Sequence, residues 1–150
     1  MNAKTNILVA DDDECVRRSY VRSLSGTQCE VQEAVDGGQA LQAMEQKRFD
    51  VVLLDLRMPG RGGMTVLATI KQRWPQSEVI VITGYPSIET AKTALQLGAY
   101  DYLAKPVGPD EVIHAANGAA RHKHWALHVE PTNQNEASPA CRNSTPNYGN

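Results

Sequence analysis

The chain has 150 residues, a formal net charge of −2 and a sequence pI of 6.1. That length suits one domain with a core of its own. The balanced charge gives this chain itself no nucleic-acid footprint, and no apolar run is long enough to span a bilayer.

Ile7-Leu8-Val9-Ala10 predicts a short first strand that ends in Asp11-Asp12-Asp13-Glu14. One or two acids at a helix start are ordinary, because the helix dipole favours them. Four in succession exceed that need, and their mutual repulsion invites a cation. Val16, Tyr20, Val21 and Leu24 then recur at helical spacing, with Gly26 as a stop. Cys29 to Ala34 alternates weakly and predicts strand 2, and Gly37-Gly38 opens a second helix carrying Leu41 and Met44. Val51-Val52-Leu53-Leu54 predicts a strand buried on both faces. It meets the carboxylate of Asp55 and then the turn Pro59-Gly60. An acid at the end of a buried strand is costly unless it is used or paired, although an Asp there can also cap the following loop.

A helix from Met64 to Trp74 carries Val66, Leu67 and Ile70, and Pro75 stops it. Val79-Ile80-Val81-Ile82 predicts a fourth strand ending at Thr83-Gly84. Ser87 caps a helix holding Ile88, Ala91, Ala94, Leu95 and Leu97, closed by Gly98. Tyr100 to Ala104 predicts the last strand, followed by Lys105-Pro106, and Pro109-Asp110 starts a final helix with Val112, Ile113, Ala116 and Ala119 near one face. Five strands alternating with five helices imply βα units, a parallel sheet and right-handed crossovers. The composition changes at Val129: residues 129–150 are rich in Asn, Ser, Thr, Gln and Pro, and form a polar tail expected to be disordered. The domain is expected over residues 1–128.

In a parallel sheet the C-terminal strand ends share one edge, where ligands sit. That edge gathers Asp11, Asp12 and Asp13 from strand 1, Asp55 from strand 3, Thr83 from strand 4 and Lys105 from strand 5. Carboxylates with a backbone carbonyl suit a hard divalent ion. Mg²⁺ takes few carboxylates and leaves room for a phosphate oxygen. A carboxylate beside such an ion can act as a nucleophile toward phosphorus. Lys would pair with phosphate oxygens and a Thr hydroxyl would donate to one. Taken singly, Thr83 is as well explained by a local hydrogen bond, and Tyr102 by a half-buried place in a strand.

Ile7 to Asp13, Leu54 to Gly60, Ile82-Thr83-Gly84 and Gly98 to Pro106 together resemble the receiver domain of bacterial two-component response regulators. The resemblance covers about residues 5–123, in order and in register. It implies a doubly wound five-stranded parallel sheet of flavodoxin-like order 2-1-3-4-5, flanked by five helices. It implies that Asp55 is the phosphoacceptor and takes its phosphoryl group from a sensor histidine kinase. Asp11, Asp12, Asp55 and the backbone carbonyl of Arg57 would hold Mg²⁺, with Asp12 a direct ligand. Thr83 and Lys105 would bind phosphoryl oxygens, Thr83 and Tyr102 would form the switch, and Lys105-Pro106 would be a cis peptide. Arg57 and Tyr85 would flank the path of an attacking water.

The expected function is a phosphorylation-controlled signalling receiver rather than a conventional enzyme, with slow dephosphorylation of its own. Its output face would be helix 4, strand 5 and helix 5, used for a homodimer or a protein target. The chain reads either as a stand-alone receiver or as a fragment of a longer DNA-binding transcription regulator. An aspartyl-phosphate phosphatase would want a second acid two residues after the nucleophile, where Arg57 stands. A flavin domain of similar topology would need a phosphate-binding loop after strand 1, which the acids from Asp11 to Glu14 oppose. Cys15, Cys29 and Cys141 have no metal spacing and read as thiols of a reducing cytoplasm. Arg121, His122, Lys123 and His124 are read as complementing a helix C-terminal dipole. A metal site among the three histidines from His122 to His128 is the lesser reading, because no other ligand types accompany them.

Overall fold

A computed structural model describes residues 4–128 except 27 and 61, with side chains described as far as residue 122. In chain order the elements are β1 (Thr5–Ala10), α1 (Glu14–Ser25), β2 (Cys29–Ala34), α2 (Gly37–Gln46), β3 (Val51–Leu54), α3 (Gly63–Arg73), β4 (Glu78–Thr83), α4 (Ile88–Gln96), β5 (Asp101–Ala104) and α5 (Pro109–His128). All strand pairs are parallel, in the order β2-β1-β3-β4-β5. The expected α/β class and strand order are therefore observed. The assigned tail from residue 129 lies outside the described residues, as does Cys141.

The two faces of the sheet sort the apolar runs by parity, as the period-2 alternation of strand side chains requires. Leu8, Val52, Leu54, Val79 and Val81 point into one core with Leu41, Met44, Val66, Leu67 and Ile70 from α2 and α3. Ile7, Val9, Leu53, Ile80 and Ile82 point into the other with Tyr20 and Leu24 of α1 and Val112, Ala116 and Ala119 of α5. Each large side chain so buried contributes about 1.5–3 kcal/mol. This is why positions 7–10, 51–54 and 79–82 hold no polar residue.

The helix starts follow local chemistry. Asp13, Asp36 and Ser87 accept hydrogen bonds from the amides of Val16, Gln39 and Thr90, satisfying donors that a helix leaves unpaired. Helix α3 begins at Gly63, one residue before the predicted start, because the Gly63 amide bonds to the Leu56 carbonyl at 3.2 Å. Helix α4 carries its apolar residues largely on the surface. Only Ala94 is buried, while Ile88 is 81% and Leu95 51% exposed. The reason is the neighbour: β5 is a four-residue edge strand and offers little sheet to cover. The His122 reading is corrected. Its Nδ1 lies 2.7 Å from Glu78 Oε2 and its ring tilts against Tyr100, so it docks α5 to β4.

The crossing of α3 over the loop after β3 depends on Gly63. A Cβ there would lie 2.4 Å from the Leu56 Cα, a backbone atom that cannot swing aside. Gly63→Ala should therefore cost about 1–3 kcal/mol in urea unfolding. Gly38→Ala in α2, whose Cβ would meet only the Asp36 carboxylate at an ordinary 3.5 Å, should instead gain about 0.5–1 kcal/mol.

Candidate functional site

The register of the sheet brings four strand ends together. Ala10 pairs with Leu54, Leu54 with Val81 and Thr83 with Ala104, so the residues that follow or end these strands share one edge. Asp11 and Asp55 each continue a buried strand by one residue, and both are buried. Asp12 is exposed beside them. Carboxylate oxygens of Asp11, Asp12 and Asp55 lie within 4.8 Å of one another. Asp13 is not in that group; its side chain caps α1 and its amide donates to Asp11 Oδ1 at 2.9 Å.

Lys105 supplies the opposing charge. Its Nζ lies 3.0 Å from Asp11 Oδ2 and 3.2 Å from Asp55 Oδ2. Burial alone would lower the Lys105 pKa, but hydrogen bonding to Asp11 and the charges of Asp11 and Asp55 outweigh it and raise the ammonium above its usual range. The chain reaches this position through the expected cis Lys105-Pro106 peptide, with the Lys105 amide donating to the Thr83 carbonyl at 2.8 Å.

Burial pushes the Asp55 pKa above the ordinary carboxylate range. The Arg57 amide, donating to Oδ1 at 3.1 Å, works against that shift; the Asp11 charge adds to it, and Lys105 opposes it. Thr83 is buried, and its Oγ1 accepts from the Tyr85 amide at 3.1 Å. Tyr102 is half-buried against the α2–α3 core. Its hydroxyl accepts from the Ser87 amide at 3.2 Å and lies 2.6 Å from Thr90 Oγ1, so it holds the start of α4. The guanidinium of Arg57 stacks over the exposed Tyr85 ring at 4.1 Å.

Sequence reasoning missed Arg17 and Tyr20. Arg17 is buried in α1; its NH1 donates to the Asp11 carbonyl at 3.0 Å and its Nε to Glu33 at 2.7 Å. A charged residue three positions before Tyr20 and seven before Leu24, on the buried face of the helix, was the available signal.

The family model for the response regulator receiver domain matches residues 7–117. The chain belongs to that family. This receiver is 38% identical over 116 residues to the DNA-binding transcriptional regulator NtrC of Escherichia coli K12, a match covering 77% of this chain and 25% of that protein. The receiver thus spans about a quarter of the length of the curated relatives it matches. Among solved structures it is similar to the receiver domain of NtrX from Brucella abortus, with 35% identity and a TM-score of 0.73 over 77% of this chain and 98% of that one. A CheY-like receiver domain protein from Methanospirillum hungatei superposes with a TM-score of 0.79 at 28% identity, over 82% of this chain and 98% of that one. None of the receiver's described helices is long and apolar enough to cross a membrane.

The raised Asp55 pKa fixes the sign of a pH effect. A carboxyl group with a folded pKa above its unfolded value binds its proton more tightly when folded, so its ionised form costs stability. That cost is fully present above the folded pKa and disappears as pH falls through it. In metal-free buffer, Asp55→Asn should raise the melting temperature by a few degrees at neutral pH. The advantage should shrink in the acid range as Asp55 takes up its proton. Melting curves of both proteins across that range check it.

Proposed function

We propose that this receiver takes a phosphoryl group on Asp55 from a sensor histidine kinase and passes the signal through α4 and β5. The observation that carries the reading is the buried Asp55 carboxylate, paired with Lys105 and clustered with Asp11 and Asp12 at the sheet edge. An Asp55 oxygen attacks the phosphorus of phosphohistidine, the P–N bond breaks, and the imidazole nitrogen keeps the electron pair. Lys105 and the Thr83 hydroxyl receive the phosphoryl oxygens. With a bound divalent cation, these groups would let the receiver catalyse its own phosphorylation.

Three carboxylates face one ammonium in this cluster, and the surplus negative charge fits a divalent cation. Asp11, Asp12, Asp55 and the Arg57 carbonyl would hold Mg²⁺, which neutralises charge on the transferring group when bound. A cytoplasmic location is part of this reading, because such kinases present their phosphohistidine there. The domain is assigned to residues 1–128, with 129–150 as a tail, and the similarity to NtrC supports the reading of this receiver as part of a longer DNA-binding transcription regulator.

For output, α4 is held by the Ala94 contact and by the Tyr102 hydroxyl, and it presents Ile88 and Leu95 to solvent. A phosphoryl group drawing Thr83 inward would free space beside β5. Tyr102 would turn into that space, release Ser87 and Thr90, and reposition α4. The α4–β5–α5 face would then bind a second copy or a protein target, as a shift between two pre-existing packings.

Acetyl phosphate with Mg²⁺ should raise the intact mass by one phosphoryl group, and Asp55→Asn should abolish the increase. Asp12→Ala should weaken Mg²⁺ affinity at least about tenfold, because it removes a charged ligand. The label should decay faster when Arg57 and Tyr85 are both replaced by Ala. Labelling of Asp55→Asn equal to the parent would refute the acceptor assignment.

The coupling is read by NMR. Beryllofluoride should shift amide resonances in α4 and β5 of the parent, and much less in Thr83→Ala. Shifts confined to the strand-end loops would remove the proposed route to α4.

A further inference from the structure

Below the acidic cluster, on the α1 side of the sheet, Asp11, Asp55, Leu53, Ile82 and Tyr20 line one shared recess with no room for a water molecule. Tyr20 is 4% exposed, and among the described residues its hydroxyl has no hydrogen-bond partner. A buried hydroxyl left without a partner costs roughly 1–3 kcal/mol. A leucine would fill the same place on the buried stripe of α1 without that cost.

The rest of α1 is organised around Asp11. Asp13 caps the helix and donates its amide to Asp11 Oδ1, and Arg17 holds the Asp11 carbonyl. Tyr20 follows Arg17 by three residues on the same buried face. In the resting site the other Asp11 oxygen, Oδ2, is occupied by Lys105 at 3.0 Å. A phosphoryl group on Asp55 competes for that same ammonium, and its departure would take a hydrogen-bond donor from Asp11 Oδ2, which can accept one while the carboxylate holds a cation.

We propose that Tyr20 is a positioning residue whose hydroxyl donates to the Asp11 carboxylate when Lys105 turns to the phosphoryl group. The inference rests on the acceptor reading of Asp55. It explains why a hydroxyl is placed in this recess, and it gives the loaded site a donor that the resting site does not use. The phenol is suited to the task. Burial pushes its pKa up to about 12, against the pull of Lys105 and with help from Asp11, Asp55 and Asp13, so the hydroxyl keeps its proton across neutral pH.

The test compares the parent with Tyr20→Phe, which removes only the hydroxyl. Beryllofluoride affinity in excess Mg²⁺ should fall about tenfold, the loss expected for one hydrogen bond to a charged group. The melting temperature of the unloaded protein should not fall, because the hydroxyl makes no bond there. In the parent, a ¹³Cζ label on tyrosine should report a shift of the Tyr20 resonance on loading, a readout that holds even if the variant proves less stable. Equal affinity in the two proteins, or an unmoved Tyr20 resonance, would overturn the proposal. A parent that takes no beryllofluoride at all would overturn the acceptor reading itself, and this inference with it.

Discussion

One ammonium between two buried carboxylates is the constraint around which this domain is arranged. Asp11 and Asp55 end up at adjacent strand ends because β1 and β3 are hydrogen-bonded neighbours, and both are buried, where an unpaired charge is costly. Lys105 reaches both because β5 ends beside β4, at the same edge as the two acids. A slip of one residue in any of these strands would turn an apolar side chain toward the edge and an acid toward the core. The apolar runs therefore fix the register, and the register fixes the site.

The two sides of the sheet are built differently, and the difference bears on signalling. On one side α1 and α5 bury Tyr20, Leu24, Val112, Ala116 and Ala119. Arg17 and the cap at Asp13 tie α1 directly to the backbone of Asp11. That side behaves as a rigid mount for the acids. On the other side α4 buries a single alanine and is fastened at its start by the hydroxyl of Tyr102. Segments with few buried apolar contacts sit at the low end of local stability, which is where moving elements are drawn from. A site that is rigid toward α1 and compliant toward α4 can bind without distortion and still transmit.

The charge balance gives the same picture from chemistry. Burial and the neighbouring Asp11 raise the Asp55 pKa, while Lys105 is held firmly protonated. The cluster thus carries surplus negative charge, and the ionised form of its Asp55 carboxylate is not well stabilised by its surroundings.

Much of this was legible in the order of residues. Periodicity located all ten elements, because buried parallel strands read as unbroken apolar runs and the helix caps at Asp13, Asp36 and Ser87 are local chemistry. Asp55, Asp11, Thr83 and Lys105 were singled out because polar groups end apolar strands. The sequence could not show which way α4 faces: its apolar spacing is that of a buried helix, yet Ile88 and Leu95 are exposed because the edge strand beside it is short. Nor could it show that Arg17 holds Asp11, that His122 meets Glu78, or that Arg57 stacks on Tyr85. Those pairs join residues on separate elements or loops, and their meeting depends on helix rotation and sheet twist. Local propensity determined the elements and the residues that end them; only three-dimensional packing decided which side chains face one another.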